Sequence, residues 1–199
     1  MQSNTVESVR ISGMTPNNAR RIDSIQWLPA ERLGQFDLDA TLRAWLIGRG
    51  LITLRMRAAC GERFGLRQVE QWTGLLEGTL QSALRVGDNA GLFREVELCC
   101  ADQVWVFAQT VIPDSTLCAH PWLAELGDAS LSETLHELSG VERSSYEYAW
   151  LPVADRLSMR ALREAELTLP GLWARRSRIR LHGAPLIVQE VFLPAMGRS

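Results

Sequence analysis

Two apolar runs near the middle of the chain constrain its fold more than any other feature. Residues 92–100 read LFREVELCC and residues 104–113 read VWVFAQTVIP, with only Ala101-Asp102-Gln103 between them. The link is short and polar, so the two runs predict an antiparallel hairpin. Pro113 closes the second strand. Alternating runs occur as TLRMRA at 53–58 and RFGLRQVEQW at 63–72, and two more strands are read at RRSRIRL (175–181) and PLIVQEVFLP (185–194). The last two are joined by His182-Gly183-Ala184, a second hairpin signal. The count is about six strands.

Helical patterns lie between these runs. Asp37 can cap a helix through Leu38, Leu42, Trp45 and Leu46, with Gly48 and Gly50 ending it. Pro121 to Leu126 reads as a short helix stopped by Gly127. Ser130 and Glu133 form a capping-box pattern ahead of LSETLHEL, and Gly140 follows. Residues 154–167 predict another helix, and Leu169-Pro170-Gly171 a turn. Hairpin-linked strands with segregated helices define an α+β fold with an antiparallel sheet. Residues 1–24 are polar and aperiodic, so we expect a flexible N-terminal tail followed by one domain over 25–199.

Charge excludes several functions. The net charge of −2 argues against a basic nucleic-acid-binding face. All 21 basic residues are arginine. Without lysine there is no Schiff base, no pyridoxal phosphate attachment and no P-loop lysine. Arginine remains as the cation for a carboxylate, and its planar fork suits that task. No apolar run approaches the roughly 20 residues that span a bilayer. The N-terminus has no apolar signal region, so the cytoplasm is the expected location. Cys60, Cys99, Cys100 and Cys118 form no C-x-x-C pair, and we expect them reduced. His120, His136 and His182 lack metal-ligand spacing, so no metal is expected.

Strand parity singles out two charges. Arg94 shares a strand face with Leu92, Val96 and Leu98. Glu190 shares one with Leu186, Val188 and Phe192. A buried charge is costly unless it is partnered. Either the two residues pair with each other, or both face a pocket where Arg94 grips a carboxylate and Glu190 serves as acid or base. The basic run Arg175 to Arg180 also has two readings. Arg176, Arg178 and Arg180 can form a solvated strand face, or they can line an access path for an anion.

The segment LWARRSR at 172–178, followed by PLIVQEVFLPA, resembles the C-terminal signature of the chorismate pyruvate-lyase family. LFREVELCC and QTVIPDSTL resemble the paired central strands of that family, and the likeness extends over roughly residues 42–195. It implies a six-stranded antiparallel sheet with helices packed on it, and an enzyme that converts chorismate to 4-hydroxybenzoate and pyruvate for ubiquinone-type quinones. It implies no metal or organic cofactor. By position, Arg94 matches the carboxylate-binding arginine and Glu190 the acidic residue, both with catalytic roles. Leu131 and Ile52 match backbone contacts to the ligand. Two departures stand out. Gln109 occupies a position where arginine is common, and residues 144–170 are longer than in short members, which could form a different lid. We expect a monomer that takes a small-molecule substrate and no nucleic acid. The alternatives are a non-catalytic effector-binding module of the same fold, or an enzyme that makes another hydroxybenzoate from chorismate.

Overall fold

A computed structural model of the chain describes residues 25–163 and 169–197. The expected tail at 1–24 lies outside the described residues. The core of the fold is an antiparallel sheet of eight strands. They are β1 (Leu28–Pro29), β2 (Phe64–Leu75), β3 (Ala90–Cys100), β4 (Gln103–Pro113), β5 (Val141–Arg143), β6 (Glu147–Pro152), β7 (Gly171–Leu181) and β8 (Ala184–Phe192). The order across the sheet is β1-β6-β7-β8-β4-β3-β2, with β5 also paired to β7.

The expected central hairpin is β3–β4, and its turn residue Ala101 takes a positive φ of 53°. The C-terminal hairpin is β7–β8. The sheet has eight strands rather than six because β1, β5 and β6 were not expected, while one expected strand is absent. Residues 53–58 are helical. They belong to α2 (Ile52–Cys60), whose buried residues are Ile52, Thr53, Met56 and Cys60. That spacing follows the turn of a helix, and the short alternation of Leu54 and Met56 against arginines was coincidental.

The described residues form five further α-helices: α1 (Ala40–Ile47), α3 (Gly78–Leu84), α4 (Asp114–Ala119), α5 (Leu131–His136) and α6 (Arg156–Leu162). The cap of α1 is Asp39, not Asp37; its carboxylate accepts from the amides of Thr41 and Leu42. Ser130 caps α5 through Glu133 N, at 3.2 Å, but the Glu133 carboxylate pairs with Arg57 instead of closing a capping box. Asp155 caps α6, which begins the helix expected at 154–167; residues 164–168 lie outside the described residues.

Each face of the sheet carries two apolar clusters with a gap between them. On the first face, α1 and α2 pack Leu46, Ile52 and Met56 against Val96, Val106 and Phe192. Farther along that face, α5 and the turn at Pro121–Glu125 pack Leu131, Leu135 and Leu123 against Ile112 and Val188. On the second face, α6 covers Phe107, Leu151 and Val191, while α3 covers Phe93, Val111 and Ile187. Full burial of one such side chain contributes about 1.5–3 kcal/mol.

The cysteines correct the expectation of four free thiols. Cys60, at the end of α2, and Cys100, at the end of β3, form a disulfide with their Cα atoms 5.6 Å apart. They are far apart in sequence, and only the packing of α2 on the sheet brings them together. Cys99 and Cys118 are free.

Candidate active site

The gap on the first face holds a small cavity, bordered by the start of α2, the start of α5 and the strands β3, β4 and β8. Ile52, Arg94, Leu131 and Glu190, the four residues singled out from sequence, all line it. Thr53, Thr110 and Ser130 add polar groups, and Val96, Ala108 and Val188 form apolar walls.

Strand parity places the charges as expected. Arg94 on β3 is opposite Thr110 on β4, and Ala108 on β4 is opposite Glu190 on β8. Arg94 is 1% exposed. Its Nη2 donates to Gly127 O at 2.7 Å and Ala129 O at 2.8 Å. Gly127 has a φ of +48°, which glycine adopts at little cost. Nε of Arg94 is buried without a hydrogen-bond partner. Burial pushes this guanidinium down to about 10, and the nearby Asp128 only partly opposes that shift.

Arg94 and Glu190 do not pair with each other. Glu190 is bound by Arg175, directly opposite on β7, whose Nε donates to Glu190 Oε2. Arg175 is fully buried. Its Nη1 donates to Leu46 O at 3.0 Å and Gly48 O at 3.2 Å, where the carbonyls at the end of α1 favour a cation. The Tyr146 ring lies 4.2 Å from its guanidinium carbon. Burial acts to lower the Arg175 value, but Glu190 and the neighbouring Tyr146 outweigh it and the net direction is up. Arg175 was not singled out from sequence. The same parity argument would have found it, since it alternates with Arg176 in the basic run.

Arg94 thus stands in the cavity wall with no carboxylate partner among the described residues. The first residues of α2 and α5 line the same cavity. No side chain caps α2. Amides at the start of a helix lack intrahelical acceptors and favour an anion. The unpartnered Thr53 Oγ1 adds another hydroxyl. Together these groups can hold a carboxylate at one end of a ligand, while Glu190 can accept a hydrogen bond at another. The cavity volume is about 30 Å³. That holds about two water molecules. A six-membered ring needs more room than that.

Gln109 lies on the other face of β4. It donates to Glu95 Oε1 at 2.9 Å and accepts from Gln189 Nε2 at 3.2 Å. It does not border the cavity, so its departure from arginine leaves the Arg94 site untouched. The described residues of 144–170 include β6 and α6, and none of them lines the cavity.

Fold and site define the class: a sheet-and-helix domain with a small cavity lined by a buried arginine and a buried glutamate. Among solved structures, the C-terminal domain of PhnF has TM-score 0.53 and 16% identity, over 68% of this chain and 86% of that one. The effector domain of PhnF from Mycobacterium smegmatis has TM-score 0.52 and 21% identity, over 75% and 91%. These likenesses establish the fold. Sequence relatives go further. A chorismate pyruvate-lyase of Erwinia tasmaniensis is 31% identical over 92% of this chain and 93% of its own. A probable chorismate pyruvate-lyase of Methylococcus capsulatus is 36% identical over 78% and 96%. A third, of Azoarcus sp., is 37% identical over 79% and 86%. The family described as chorismate lyase matches residues 21–197, and the chain belongs to that family.

Proposed function

We propose that the chain is a chorismate pyruvate-lyase, which eliminates the enolpyruvyl side chain of chorismate as pyruvate and leaves 4-hydroxybenzoate. The observation that carries this reading is the buried Arg94, without a carboxylate partner among the described residues, in one cavity with Glu190. Family membership supports it.

Arg94 and the first amides of α2 and α5, at Ile52 and Leu131, hold the ring carboxylate. Glu190, fixed by Arg175, receives the hydroxyl-bearing end of the ring and assists proton transfer there. The bond from the ring to the ether oxygen breaks. The ring carbon bearing the hydroxyl loses its proton, and its electron pair completes the aromatic ring. The departing enolpyruvate takes up a proton and becomes pyruvate. Aromatisation supplies the driving force, so the protein mainly orients the ring and excludes water. In this reading α2 and α5 open to admit chorismate and close over it.

The enzyme acts as a cytoplasmic monomer, and its product supplies the ring of ubiquinone-type quinones. No helix among the described residues is long and apolar enough to cross a membrane. Pyruvate release from chorismate, followed through coupled reduction to lactate, tests the reading. Steady release by the wild type and a loss of at least tenfold in Arg94→Ala are expected; absence of release overturns it.

A further inference from the structure

The second face of the sheet carries a larger opening than the first. A cleft of about 890 Å³ lies between α3 and α6, with Phe93, Gln109 and Gln189 of the sheet among its lining residues. That volume falls within the range of small-molecule sites. The sheet itself separates it from the Arg94 cavity, since Arg94 and Glu190 point to the other side.

Its walls combine aromatic surface with uncompensated positive charge. Trp72 stacks on Phe93, with ring centroids 5.1 Å apart. The acidic residues of the lining are engaged. Glu77 pairs with Arg156 at 3.0 Å, joining α3 to α6. Glu147 pairs with Arg176 at 2.8 Å. Asp155 accepts from the amides that start α6. Arg85 and Arg178 also line the cleft, and neither has a carboxylate partner among the described residues. Arg178 is held in place by the carbonyl of Ala83, at 2.8 Å. Burial, then repulsion from Arg85 and Arg180, lowers its guanidinium value. A bound anion would relieve that repulsion.

We propose that this cleft is a second ligand site, taking an amphipathic anion whose apolar body rests on Trp72 and Phe93 and whose charged head meets Arg85 and Arg178. The pattern is a few placed cations beside an aromatic surface, as small-molecule sites require. The site is independent of the reaction on the first face, and it stands or falls without that reading.

The test is a fluorescence titration of the full chain with anilinonaphthalene sulfonate, an aromatic anion. The expected result is saturable binding to one site per chain, weakened at least tenfold in Arg85→Gln/Arg178→Gln. Phenylnaphthylamine, which has the same rings without the sulfonate, should bind at least tenfold more weakly. Chorismate turnover should be unchanged in the double variant. Arg85→Gln alone alters an exposed side chain and should weaken the probe severalfold even if the double variant folds poorly. Unsaturable binding, equal affinity for the uncharged analogue, unchanged affinity in the variants, or full displacement by 4-hydroxybenzoate would each overturn the proposal.

Discussion

Arg175 and Glu190 face each other across β7 and β8, and the guanidinium of the first donates to the carboxylate of the second with both side chains buried. The same guanidinium bonds the last carbonyls of α1, so one side chain ties the helix layer to the acid of the candidate site. Breaking a buried pair leaves one charge uncompensated and costs about 3–5 kcal/mol. We expect Arg175→Gln to lose stability of that order in urea unfolding, and Arg175→Gln/Glu190→Gln to lose less than the sum of the single variants. Strict additivity would show that the two residues act independently.

Arg94→Ala should chiefly weaken ligand binding. A charge-assisted hydrogen bond contributes about 1.5–3 kcal/mol, so affinity for 4-hydroxybenzoate should fall roughly 10- to 150-fold by calorimetry. An unchanged affinity would remove Arg94 from the binding role.

Arg94 also sets a pH dependence. Its value of about 10 lies below the ordinary arginine range. Between those values the unfolded chain binds more protons, so this residue adds stability as pH rises through that window; below about 10 its burial penalty is fully present. A bound anion favours the protonated form. Benzoate, ionised throughout, should therefore lose affinity as pH rises through about 10. Arg94→Gln should show no such step.

The disulfide ties the end of α2 to the end of β3. Closing a loop of this length stabilises by about 2–4 kcal/mol. Cys60→Ser/Cys100→Ser should unfold at lower urea by that amount. Intact mass should rise by two hydrogens for that pair when the wild type is unfolded and reduced; no change would mean that the pair was already thiols.

The sheet centre was legible because long, mostly apolar runs mark β3, β4 and β8, and side-chain parity along each run assigns its residues to a face. The same parity exposed Arg94 and Glu190 as charges on apolar faces, and the structure puts both on one cavity. Shorter patterns misled. The alternation of Leu54 and Met56 fits a strand, yet the burial of Ile52, Met56 and Cys60 belongs to a helix. β5 has too few residues to show any period. Arg175 was open to the same parity argument, but its pairing with Glu190 and the Cys60–Cys100 bond depend on partners that only the assembled sheet brings near.

The most direct measurement is chromatographic separation of the products after incubating the purified chain with chorismate. The account predicts 4-hydroxybenzoate and pyruvate in equal amounts, with formation of both strongly reduced in Glu190→Ala. Another hydroxybenzoate, or intact chorismate alongside tight binding of 4-hydroxybenzoate, would contradict it.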